Sequence, residues 1–156
     1  MKKLLPFFLL IFPILTVAQT PVDLPIMGEV SQIVGKTKIY VAGATSDERK
    51  IIIKAFDSEK KKIPFVIVGD PAEAELFMNF GELTRMTNNT AFNRNYQERD
   101  ELEVYYINDD KKKVIVFTDT ETLDASGGLI LSFPNSWNLT KNFFKAYNKM
   151  LKAKAK

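Results

Sequence analysis

The stretch TKIYVAGATSDERKIIIKAFDSEKKKIPFVIVGDPAEAELFMNF, from Thr37 to Phe80, sets a strand, a capped helix and two further strands in unbroken succession. Lys38-Ile39-Tyr40-Val41 is β-branched and aromatic with Ile39 and Val41 on one face, the pattern of a half-buried strand, and Gly43 ends it. Thr45 and Glu48 have the spacing of a capping box, in which each side chain satisfies the other residue's backbone N–H. A helix from about Ser46 to Ser58 follows. Ile51, Ile52, Ile53, Ala55 and Phe56 form its broad apolar stripe, and Lys60, Lys61 and Lys62 lie beyond its end, where cations suit the helix dipole. Phe65-Val66-Ile67-Val68 is an unalternated apolar run, which predicts a strand buried on both sides. Asp70-Pro71-Ala72-Glu73 places a carboxylate at an N-cap and proline at the first helical position, so a single helical turn is expected. Leu76 to Phe80 resumes strand alternation, with Leu76, Met78 and Phe80 facing inward.

Toward the N-terminus, Lys2 and Lys3, an apolar run from Leu4 to Val17 and the small residues ending at Ala18 have the form of a secretory signal over residues 1–18. That run is interrupted by Pro6 and Pro13 and falls short of the roughly 20 residues that cross a bilayer core, so a cleaved signal is expected and no transmembrane helix after it. Residues 19–36 are expected to be a linker that docks on the domain, with Val30, Ile33 and Val34 open to a short helix or an edge strand. The single domain then spans residues 37–156. Removing the leader leaves 20 basic residues against 19 acidic ones, and that near balance argues against a nucleic-acid partner. The chain contains no cysteine, so the domain is expected to rely on its core and not on disulfides. Gly35-Lys36-Thr37 has the tail of a phosphate-binding loop, but Val30 stands where the first glycine belongs and the motif runs into a strand instead of a helix.

Beyond Phe80, the asparagine-rich stretch 82–100 is expected to be a long hairpin loop into which the preceding strand continues to about Met86. Glu101 to Asn108 alternates, with Leu102, Val104 and Tyr106 on one face and Glu103, Tyr105 and Ile107 on the other. Asn108-Asp109-Asp110-Lys111 turns the chain, and Val114 to Thr118 follows as the partner strand. Residues 119–135 are expected to be a loop in which Asp119, Glu121 and Asp124 sit beside Gly127 and Gly128. These carboxylates are the candidate ligands for a divalent metal, although the register is not that of an EF-hand. Ser126 has no histidine anywhere in the chain to act as its base, so no catalytic residue and no cofactor are assigned. From about Ser136, with Asn135 as cap, a helix carries a stripe of Trp137, Phe144, Tyr147 and Leu151 widened by Phe143 and Met150, which is expected to pack on the sheet. Lys141, Lys145, Lys149 and Lys152 run down its opposite side, a solvated face suited to contact with anionic surfaces.

The segment Val68-Gly69-Asp70-Pro71-Ala72-Glu73-Ala74-Glu75-Leu76, the hairpin from Glu103 to Thr118 and the helix from Asn138 to Leu151 together resemble a group of small exported bacterial proteins. In these a D-P-x-x-A-D turn joins two strands and an apolar helix closes the domain. The same unit is similar to the amino-terminal domain of the periplasmic TolB protein. Glu75 takes the place of the final aspartate. The resemblance implies a docking role and brings no catalytic residues.

These elements predict an α+β, two-layer domain with one mixed sheet of about five strands and two long helices on one face. The helical crossover makes the first two strands parallel, the six-residue link before Leu76 is too short for another such crossover, and the expected strand order is 2-1-3-4-5. The uncovered face then presents Tyr40, Phe77, Tyr105, Ile107, Val114 and Val116 as an interaction surface. The expected function is that of a non-catalytic cell-envelope or secreted interaction module, with an unnamed envelope or secreted protein as partner. The alternative is a small-ligand or divalent-metal binding protein, or an enzyme, using residues 119–126.

Overall fold

A computed structural model describes residues 24–90, 93–126 and 134–155. The elements in chain order are β1 (Ile26–Met27), a 3-10 turn (Val30–Ile33), β2 (Lys38–Ala42), α1 (Ser46–Glu59), β3 (Val66–Val68), a second 3-10 turn (Pro71–Glu73), β4 (Leu76–Thr90), β5 (Asn93–Ile107), β6 (Lys113–Ser126) and α2 (Asn135–Lys154). The expected leader, residues 1–18, lies outside the described residues.

One mixed sheet has the order β1-β6-β5-β4-β2-β3. β2 is parallel to both β3 and β4, β4-β5-β6 is an antiparallel meander, and β1 adds in parallel to β6. The five expected strands therefore take the expected order, and a sixth extends the sheet. The short link before Leu76, expected to be too short for a parallel crossover, does join two parallel strands, β3 and β4, across β2. That sixth strand comes from the stretch expected to be a linker. Gly28 N–H donates to the Ile115 carbonyl at 2.7 Å, and Ile33 at the end of the first 3-10 turn is fully buried in the core.

The capping box forms as read: Thr45 N–H donates to the Glu48 carboxylate at 2.7 Å and Glu48 N–H donates to the Thr45 hydroxyl at 3.4 Å. α1 buries Ile52, Ala55 and Phe56, whereas Ile53 is exposed, because only residues spaced by three or four share the face that meets the sheet. On the sheet, Ile39, Val41, Leu76, Met78, Phe80, Leu102 and Val104 are buried and join Phe56, Leu139, Phe143, Phe144 and Tyr147 in one core. Phe144 meets Phe56 edge-on at 4.8 Å between ring centroids, and Phe65 stacks on Phe143 at 5.6 Å. Both helices thus cover the same face.

Four further expectations are corrected. β3 is not buried on both sides: it is the sheet edge, and Val66 is 62% exposed. The stretch 82–100 is not a loop, since β4 and β5 pair continuously to Thr90↔Asn93 with one irregularity between Glu82 and Thr84. Their threonines and alternating backbone favour pairing over a structureless excursion of that length. Residues 119–126 are likewise strand, carried by the β-branched Thr118, Thr120 and Thr122. Finally, Asn135 is not the cap of α2. Pro134 holds that position, and the buried Asn135 side chain donates to the Asp100 carboxylate at 2.9 Å.

Candidate functional site

The face of the sheet opposite the helices carries an apolar row that crosses every strand. Register pairs Val68 with Tyr40, Tyr40 with Phe77, Phe77 with Tyr105, Tyr105 with Ile115 and Ile115 with Met27. Alternation along each strand puts these six on one side and the core residues on the other. Phe77 stacks on Tyr105 at 5.1 Å with an interplanar angle of 11°, and Tyr40 meets Phe77 edge-on at 6.3 Å. Such pairs contribute about 0.5–1.5 kcal/mol beyond area burial and hold the rings as a rigid strip. The Lys113 ammonium lies 4.4 Å from the Tyr105 ring centroid and pairs with Glu103 on the neighbouring strand, so a cation and a carboxylate frame the aromatic centre. Val68, Tyr40, Phe77 and Tyr105 are half-buried, Ile115 is buried within the row, and Ile107 and Met27 are exposed at the margin.

Of the expected surface residues, Tyr40, Phe77, Tyr105 and Ile107 therefore share this face, whereas Val114 and Val116 do not. Both valines are buried in the core. The cause is a β-bulge: Val104 pairs with Phe117 and Tyr105 with Ile115, so Val116 is an extra residue. Val68, Ile115 and Met27 were missed. β3 and the start of β6 are unalternated apolar runs, so the sequence does not mark which face Val68 or Ile115 takes, and Met27 reaches the face only through a long-range pairing with no local mark.

The same bulge turns Phe117, Asp119 and Glu121 toward the helices. Phe117 packs on Phe143 at 5.4 Å, and the Asn142 amide of α2 donates to both Asp119 at 2.9 Å and Glu121 at 3.0 Å. Those two carboxylates are thus engaged in docking α2. The Asp124 side chain, with Gly127 and Gly128, lies outside the described residues, and among the described residues no group of three acidic, histidine or cysteine side chains is arranged to hold a metal ion.

Glu75, the residue in place of the expected aspartate, has a definite task. Its carboxylate accepts the Thr37 N–H at 2.6 Å, the Lys38 N–H at 3.0 Å and the Thr37 hydroxyl at 3.3 Å, which ties the start of β2 to the turn before β4. These backbone donors, Thr37 first, hold its pKa below the ordinary glutamate value. Asp70 caps the turn itself by accepting the Ala72 N–H at 2.8 Å.

No protein-family model and no curated protein matches the sequence. Among solved structures, the chain is similar to a hypothetical protein from Chlamydia trachomatis, with 11% identity, a TM-score of 0.39, and 76% of this chain and 96% of that one covered. It is also similar to a lipoprotein from Neisseria meningitidis, with 5% identity, a TM-score of 0.42, and 75% and 99% covered. A minor lipoprotein from Acinetobacter baumannii shows 11% identity, a TM-score of 0.38, and 77% and 95% covered.

Proposed function

We propose that this chain is a non-catalytic exported interaction module that engages its partner through the open face of the sheet. The observation that carries this reading is the Val68-Tyr40-Phe77-Tyr105-Ile115-Met27 row, an apolar strip with two aromatic contacts on the side of the sheet that neither long helix covers, in which Ile115 is buried and the other five are at least partly exposed. Rigid aromatic side chains flanked by a salt-bridged lysine lose little conformational entropy on binding, and they suit a partner that offers an apolar or aromatic segment with a polar edge. The likeness of the Asp70–Glu75 turn to envelope docking domains supports the same role, and the leader expected over residues 1–18 supports export.

The test compares two variants of equal foldedness by crosslinked capture of partner from the native envelope. Tyr105→Ser with Ile107→Ser removes apolar area from the open face and is expected to lower capture at least tenfold. Asp119→Asn, Glu121→Gln and Asp124→Asn together remove charge with little change of shape and are expected to leave capture unchanged. Loss of capture in the carboxylate variant alone, with capture kept in the Tyr105 and Ile107 variant, would overturn the reading in favour of the acidic strand.

A further inference from the structure

A second surface lies on the opposite layer of the molecule. Between the C-terminal end of α1 and the outer side of α2 is a cleft of about 650 Å³, lined by Glu59, Lys62, Lys141, Lys145, Lys149 and Lys152 with Phe144 and Asn148. Five lysines against one carboxylate is a local concentration of charge. The whole chain holds 22 basic and 19 acidic residues, so outside the cleft 17 basic residues face 18 acidic ones. Composition does not account for the cluster.

The cleft also divides its lysines by task. Lys141 and Lys62 both pair with Glu59, and Lys141 additionally lies 5.7 Å from the Trp137 ring centroid. Those two cations hold the Glu59 pKa below its ordinary value, so the one carboxylate in the cleft is already neutralised. Lys145 makes one long contact of 3.5 Å to Asn142, and Lys149 and Lys152 have no ion pair or hydrogen bond among the described residues. Positions 145, 149 and 152 follow the i, i+4, i+7 spacing, so their three ammonium groups project from one helix face. Their like charges cost free energy at that spacing unless an anion sits among them. The walls between the ammonium groups are the aliphatic stems of the lysines and the edge of the otherwise buried Phe144, which suit the apolar or sugar body attached to an anionic group.

We infer that this cleft binds a phosphate group, with Lys145, Lys149 and Lys152 supplying the charge and Lys141 and Lys62 held in place by Glu59. The phosphate belongs either to the headgroup of an anionic lipid or to a soluble phosphorylated molecule. The site is independent of the open sheet face and stands or falls separately from it.

Two probes separate the sources. Binding of the chain is measured to vesicles of phosphatidylcholine with phosphatidylglycerol, against vesicles of phosphatidylcholine alone, and to inorganic pyrophosphate by calorimetry. Near an anionic surface each lysine contributes about fivefold in affinity, so Lys149→Gln with Lys152→Gln is expected to weaken binding about 25-fold. The double variant is expected to melt with the parent chain, since neither side chain has a described partner. Lys111→Gln with Lys112→Gln on the exposed β5–β6 turn removes the same charge elsewhere and is expected to keep affinity within about twofold. Loss of vesicle binding in the cleft variant assigns the phosphate to lipid, and loss of pyrophosphate binding without any vesicle binding assigns it to a soluble ligand. Absence of binding to both probes, a cleft variant that binds like the parent, or an equal loss in the turn variant would each overturn the inference.

Discussion

Replacing Glu75 tests how a single carboxylate joins two strands that are 38 positions apart in sequence. Two backbone N–H groups at 2.6 and 3.0 Å converge on one of its oxygens. A charge-assisted hydrogen bond contributes about 1.5–3 kcal/mol in a protected setting. Glu75 is exposed, so water screens the charge and can re-satisfy the freed donors, and the low end of that range applies to the pair together. Glu75→Ala is therefore expected to cost about 1.5 kcal/mol, and Glu75→Gln, which keeps an acceptor oxygen without the charge, about 1 kcal/mol. The folded-state pKa of Glu75 is depressed, so its charge stabilises the fold above the unfolded-state value near 4.5, and that contribution is lost as pH falls through the lower folded value. Urea unfolding at neutral pH and at about pH 3 measures both statements. The gap between the parent chain and Glu75→Gln is expected to narrow in acid, because protonation neutralises the parent carboxylate as well. A Glu75→Ala loss below about 0.5 kcal/mol at neutral pH, or a Glu75→Gln gap that does not change with pH, would refute the bridging role.

Two further substitutions probe the core and the first loop. Phe144→Ala is expected to cost about 3–5 kcal/mol in denaturant unfolding, because the ring is buried against Phe56 and Phe143, and a loss below about 1 kcal/mol would mean that α2 presents another side to the sheet. Gly43→Ala is expected to cost at least about 2 kcal/mol by the same measurement: the backbone there has φ of 75°, and an added Cβ would sit 1.9 Å from the Phe80 carbonyl oxygen. A neutral result would show that the β2–α1 connection can relax away from β4.

Local chemistry alone determined much of this protein. The Thr45 and Glu48 box, the Asp70-Pro71 turn, the inward set of Leu76, Met78 and Phe80 and the β5–β6 hairpin all depend on residues within a few positions of each other, and each forms where its spacing places it. Chain connectivity likewise limited β2 and β3 to a parallel pair, because a helix lies between them. Tertiary structure decided the rest. Whether Val66 is covered depends on how many strands follow it, and β3 is an edge because the chain turns back to place β4 on the other side of β2. The pairing of Met27 with Ile115 spans most of the chain, so no window of sequence contains it. A one-residue bulge at Val116 sends Asp119 and Glu121 to the helix face, where Asn142 meets them, and leaves Ile115 on the open face. Side chains alternate with a period of two, so one extra residue exchanges the faces of everything after it, and that residue is set by the partner strand and not by β6 itself.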